Sequence, residues 1–329
     1  MCSRTASQYP RRSYGSRKYV LEEISNVDLI GPTLSIRVGC VLGYVACAPA
    51  QIFLLITPTT QADTIVLESS CLSNQDTVFD RTIDSHGNCY IRASLLTGYN
   101  EIRQESIVVV PDYAENFGLP TFIVPVEYMP LDVLRYTFPS RYCESDKLAA
   151  FSWKRFGRLP RGLDQVHAIC DWVNTNIEYR YGSGSSIISA CDVIQREYGV
   201  CRDFAHVAIA LCRALDLPAR YVAGHIPSIN ANQNDQDNDF GRDFHAYMEV
   251  YLGNCWHTFD ARHNRPLRGR IKIAHGLDAV DAAFATYYGN VDSVRFEVWS
   301  HAVCSTISSA VEPDPAEATS KNPTQLIAA

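Results

Sequence analysis

None of the 12 cysteines stands in a C-x-x-C pair, which removes the usual mark of a zinc ribbon or redox dithiol. Several lie inside apolar stretches, as in Ile169-Cys170 and Leu211-Cys212. That is the usage of small buried hydrophobes in a reducing compartment, so a cytoplasmic setting without a disulfide framework is expected. The first twenty residues lack the apolar segment of a secretory leader and carry no acid before Glu22, so residues 1–30 are expected to be disordered or extended. No membrane helix is expected either. The longest uncharged stretch is interrupted by Pro49 and Pro58, and its approach alternates through Ile36, Val38, Cys40, Leu42 and Tyr44, the period of a strand. A net charge of −7 with no basic stripe argues against a nucleic-acid partner. With no ligand spacing to hold an ion, neither metal nor cofactor is expected.

What is present is an ordinary globular composition, 47% hydrophobic and 20% charged, over a length that accommodates two domains. Residues 31–145 read as β-rich. Short alternating runs are separated by turn signals such as Asp84-Ser-His-Gly87-Asn, and recurrent prolines from Pro111 to Pro139 lead out of this part. Residues 146–304 change character. Val166, Ile169, Cys170, Val173 and Ile177 recur at helical spacing, as do Phe204, Val207, Ala208, Leu211 and Leu215, while residues 220–225, 245–252 and 255–260 read as strands. Residues 305–329 lack any apolar period and are expected to form a disordered tail. The fold class is therefore α+β, with an amino-terminal antiparallel β domain.

The sharpest chemical signal is Tyr198-Gly199-Val200-Cys201-Arg202-Asp203. Gly199 permits a tight turn, and Cys201 then opens an amphipathic helix, where unsatisfied N–H groups favour a thiolate and can receive an oxyanion. A thiolate needs a base. His206 lies on the same helix but about 140° around from Cys201, a poor partner. His245 is better placed. Gly253-Asn254 signals a two-residue hairpin turn of the II′ kind, which sets Tyr251 opposite Trp256 and Glu249 opposite Thr258. His245, Tyr247, Glu249, Thr258 and Asp260 then share one face, with Asp260 a diagonal neighbour of His245 at about 7 Å. An aspartate there would fix the imidazole tautomer and stabilise the imidazolium. The same register puts His257 on the other face.

Two further stretches invite a functional reading. Asp235-x-Asp237-x-Asp239-Phe-Gly241 resembles the start of a calcium loop, but its glycine comes one place late and Ala246 stands where the bidentate glutamate belongs. A flexible polar loop over residues 229–242 is the better reading. Arg262, Arg265, Arg268 and Arg270 form a basic cluster for which a solvated surface is the default, with pairing to a carboxylate or phosphate as the alternative.

Taken together, the segments IEYRYGSGSS, GVCRDFAHVAIALCRALDLPARYVAGH and DFHAYMEVYLGNCWHTFDARHN resemble the transglutaminase-like superfamily of papain-type Cys-His-Asp proteins. They look most like its bacterial members named as cysteine proteases, which also carry an amino-terminal β domain. The resemblance implies a nucleophile helix packed on an antiparallel sheet, with Cys201 as nucleophile, His245 as base and Asp260 as its orienting residue. It implies acyl transfer on a protein or peptide substrate. Hydrolysis is the favoured outcome and transamidation the alternative; a binding module on the same fold is the competing class. The polar insertion before His245 departs from the family pattern.

Overall fold

The computed structural model describes residues 31–303 except 62, 76, 116–117, 119, 121 and 232–239. The terminal segments 1–30 and 305–329 and the calcium-like aspartates thus lie outside the described residues.

Alternation builds the amino-terminal half. Its strands are β1 (Thr33–Ala46), β2 (Ala50–Leu54), β3 (Ile65–Ser73), β4 (Asp80–Ile83), β5 (Cys89–Leu95) and β6 (Gly98–Pro111). The Asp84–Asn88 turn closes the β4–β5 hairpin, with Gly87 at φ 85° and the Asp84 carboxylate accepting the backbone N–H groups of His86 and Asn88. Next come α1 (Leu131–Leu134), α2 (Ser145–Phe156), α3 (Leu163–Asn176), β7 (Glu178–Tyr179), α4 (Ala190–Arg196), β8 (Tyr198–Gly199) and α5 (Cys201–Arg213). The chain then runs through β9 (Ala219–His225), β10 (Phe244–Leu252), β11 (Cys255–Phe259), β12 (Ile271–Gly276), β13 (Ala285–Tyr288) and β14 (Val291–Ala302).

Three four-stranded sheets result, ordered β14-β1-β6-β3, β13-β2-β5-β4 and β11-β10-β9-β12. The first two share one core, in which Leu42 and Ile102 meet Ile52 and Ile91, and so form a sandwich. The third carries α5 on one face, with Ala246, Met248 and Val250 packed in a core with Phe204, Val207 and Leu211. Helical periodicity implied one buried face for α5, yet every residue from Asp203 to Arg213 is buried, because α2, α3 and α4 close around the sides that the sheet leaves open. No helix among the described residues is long and apolar enough to cross a membrane.

The halves are not successive along the chain. β13 pairs with β2 and β14 with β1, so residues 285–302 complete the sandwich rather than the α/β core to which the 146–304 boundary assigned them. The cause is cross-strand apolar pairing, as in Cys40 with Val298 and Leu42 with Phe296. The sandwich also covers the edge of the third sheet. The Asn88 side chain donates to the His275 carbonyl at 2.8 Å and accepts the His275 N–H at 2.9 Å, and the Thr59 N–H donates to the Lys272 carbonyl at 3.0 Å. An edge strand that would otherwise offer unpaired backbone is thereby closed.

Gly224 sets the spacing at the heart of that sheet. It pairs with His245 on one side and Lys272 on the other, and a Cβ there would overlap the Ile271 carbonyl oxygen. Since the obstacle is backbone, Gly224→Ala is expected to cost about 1–3 kcal/mol, read as a lower urea midpoint at unchanged m-value. An unaltered midpoint would refute the close packing.

Candidate active site

Cys201 is the first residue of α5 and is partly exposed. The start of that helix is fixed by Asp203. Its carboxylate accepts the Val200 N–H at 3.1 Å and ion pairs from Arg196 and Arg202 at 2.7 and 3.1 Å. Gly199 matters for a reason other than the expected turn. Its φ is not positive, but an added Cβ would lie 2.8 Å from Oδ2 of Asp203. The glycine makes room for the carboxylate that caps the helix. The Cys201 N–H belongs to the first turn, whose donors have no intrahelical acceptor.

The β10–β11 hairpin has the expected two-residue register, with Leu252 opposite Cys255, Val250 opposite His257 and Glu249 opposite Thr258. The turn itself differs. Gly253 and Asn254 both have positive φ, 55° and 72°, which is type I′ and not II′. The register depends only on the loop length, so the expected face is kept. Nε2 of His245 lies 2.8 Å from Oδ2 of Asp260, and Cys201 stands close enough to the ring to favour its protonated form, the two residues lining one cavity. The three residues named from the sequence are thus brought together. His257 turns to the Leu252 carbonyl. His206 is buried, stacked on Tyr142 at 5.0 Å with the tilted ring of Tyr221 at 5.1 Å, and its Nε2 accepts the Ala279 N–H.

Asp260 is bonded on both oxygens. Oδ1 accepts the N–H groups of Arg262 and His263 at 3.0 and 3.2 Å, and Oδ2 accepts His245 and both terminal nitrogens of Arg270 at 3.2 Å. Burial opposes its charge, but His245, Arg270 and His263 together hold the carboxyl well below the usual carboxylate range. Burial likewise opposes a charged His245, yet the Asp260 carboxylate and the Cys201 side chain push its pKa up to about 9. His263 falls to about 3 through burial. His245, Asp260 and His263 present ligand atoms within 4.8 Å of one another. With five donors on Asp260 and a guanidinium beside it, the set fits a hydrogen-bonded relay and not a cation site.

The basic cluster is solvated only in part: Arg268 is exposed, whereas Arg262 and the side chain of Arg270 are withdrawn from water. Arg262 lies over the Tyr179 ring at 3.5 Å, Arg265 donates to the Asn230 carbonyl, and Arg268 pairs with Asp112 at 2.8 Å. The Arg270 side chain is buried, bridges Asp260 to Glu115 (2.7 Å), and stacks on Tyr247 at 4.4 Å. Sequence reasoning missed this residue. The available signal was the charged/apolar alternation Arg270-Ile271-Lys272-Ile273, a strand whose charged face matches Tyr247 and Glu249. Lys272 does pair with Glu249 at 2.8 Å, and Arg220 holds the same carboxylate.

A thiol on a helix terminus, joined through an imidazole on the adjoining sheet to a buried carboxylate, defines the class: an α+β protein with a Cys–His–Asp constellation. The transglutaminase-like superfamily profile matches residues 155–261, the span from α2 to just past Asp260. A crystal structure from Cytophaga hutchinsonii, provisionally named a cysteine protease, is 32% identical with a TM-score of 0.75, covering 83% of this chain and 92% of that one. The chain belongs to the transglutaminase-like superfamily. An uncharacterized protein of Mycobacterium leprae is 26% identical over 146 residues, 44% of this chain. The chain spans about half the length, 51%, of that curated relative. The periplasmic domain of TgpA from Pseudomonas aeruginosa is 15% identical with a TM-score of 0.38, covering 76% of each chain.

Removing Arg270 leaves Asp260 and Glu115 without their shared cation, and breaking a buried pair costs about 3–5 kcal/mol. Arg270→Met should therefore destabilise strongly. It should also raise the pH at which the fold fails in acid, since a depressed carboxyl stabilises above its unfolded pKa and loses that contribution as pH falls through the folded one. Acid titration followed by circular dichroism tests this; coincident curves for wild type and variant would sink the role given to Arg270.

Proposed function

We propose that this protein is a cysteine-dependent acyl-transfer enzyme that hydrolyses amide or peptide bonds through a thioester. The observation that carries the reading is His245 bonded to the buried Asp260 at a cavity of about 590 Å³ that Cys201 and His245 line together. Family membership and the name given to the Cytophaga relative support it.

In this scheme the proton of the Cys201 thiol already rests on His245 as an imidazolium, and the Sγ thiolate attacks the amide carbonyl. The Cys201 N–H faces the developing oxyanion. His245, the imidazolium held by Asp260, protonates the leaving amine as the C–N bond breaks, leaving a thioester. Water then adds to the thioester carbonyl, giving a proton to His245. The C–S bond breaks, the acid departs, and the thiolate is left beside the imidazolium as at the start. An amine in place of water gives transamidation, the alternative outcome. Ten free cysteines among the described residues support placing the protein in a reducing compartment such as the cytoplasm.

Cys201→Ala should abolish turnover of peptide amides and the acyl-enzyme mass adduct; retained activity would end this account. Adding a primary amine and weighing the products separates water from amine as acceptor.

The charge on His245 sets a pH window. Its raised pKa means the imidazolium persists through neutral pH and is lost as pH rises through about 9. The rate should fall on that alkaline limb. Asp260→Asn removes the main attraction and leaves burial dominant, so the limb should move to lower pH. A limb that stays in place in the variant would show that His245 does not carry the proton.

A further inference from the structure

Resting on that reading, we infer that the acyl donor is an extended polypeptide segment, seated with a bulky apolar side chain in the cleft beside Cys201 and its backbone along the free edge of β13. The cleft at Cys201 and His245 is far larger than an amide group requires. Its roughly 590 Å³ falls in the range that encloses a drug-sized ligand. Its walls are largely apolar, with Leu55, Tyr179, Val200, Ala282 and Phe284 among the lining residues. Only Arg202, Asp243 and His245 among the lining residues carry charge. Arg202 is spent on Asp203 and the Ser185 carbonyl, and Asp243 has its own contacts. A charged side chain would therefore lose its water without gaining a partner.

The far wall is a fixed structure. Asp278 is buried and accepts the N–H groups of Tyr142 and Val280 at 3.0 and 2.9 Å, while the next residue, Ala279, donates to His206 at 3.2 Å. His206 and Cys201 share α5, so the helix that carries the thiol also holds the wall at a set distance from it. This gives the buried His206, which the chemistry does not use, a positioning part. Beyond the wall the chain becomes β13, the terminal strand of its sheet, whose outer edge no described strand pairs. Ala285 and Thr286 of that strand line the same cavity as Cys201. An unpaired edge that opens into a reactive cleft is a template for strand addition, in which main-chain hydrogen bonds supply affinity and pockets read the side chains.

The test is covalent labelling of Cys201 in the full chain by dipeptidyl chloromethyl ketones, with iodoacetamide as a side-chain-blind reference. Leucyl or phenylalanyl probes should label Cys201 roughly tenfold or more faster than aspartyl or lysyl probes. N-methylation of the probe backbone should slow labelling roughly fivefold or more. Ala283→Trp, which fills the cleft, should reduce the apolar probe's rate relative to iodoacetamide. Val280→Asp, at a wall residue that is 53% exposed, should shrink the preference for apolar over lysyl probes. Selective labelling by iodoacetamide with equal rates for every peptide probe would overturn the inference and leave the acyl-transfer reading standing. Failure of iodoacetamide to select Cys201 would remove both.

Discussion

A carboxylate removed from water survives in a fold only if its oxygens are bonded and a cation stands close. Asp260 is such a carboxylate, and much of the surrounding structure follows from satisfying it. The chain turns sharply after β11 so that two backbone N–H groups reach Oδ1. Arg270, the residue before β12, supplies the cation. That guanidinium is itself buried and needs a second carboxylate, which comes from Glu115 beyond β6. Only with the charge so held can Asp260 keep a buried imidazole protonated against the desolvation that acts on it. The site is thus a chain of compensated charges, Glu115–Arg270–Asp260–His245, that ends at the thiol.

This chain explains which parts of the site were legible in sequence. Cys201, His245 and Asp260 could be named because each rests on a local rule: a helix start after Val200, and a hairpin register counted from Gly253-Asn254. Local rules tolerate error in detail. The turn proved to be type I′, and the register survived because two residues separate the strands in either form. Arg270 and Glu115 rest on no local rule. They lie 155 residues apart, and nothing near Arg270 distinguishes it from Arg262, Arg265 or Arg268 except an alternation that becomes informative once β12 is known to flank β9. The return of β13 and β14 was hidden for the same reason. Their pairing with β2 and β1 spans more than half the chain, and strand pairing leaves no mark on a single segment of sequence. Gly199 is an intermediate case, singled out correctly but for a different physical reason.

The long-range pairings also bear on what the sandwich does. If it were an appended module, its contacts with the α/β core would be confined to one surface and would spare the site. Three observations oppose that view. Leu55, just past β2, reaches the wall of the Cys201 cleft. Glu115, after β6, neutralises Arg270 behind Asp260. Asn88, in the β4–β5 turn, closes the edge of the sheet that carries His245. These residues come from three separate places in the sandwich and act on three separate parts of the site: its wall, its charge and its frame. The chain between β12 and β13 passes the cleft on its way back into the sandwich, so the wall exists only while both halves hold its ends. The unit that builds the candidate site is therefore the whole described chain. A piece ending before β13 would leave the cleft wall without its anchor in the sandwich, and a piece beginning after Glu115 would leave Arg270 with one carboxylate where its burial calls for two.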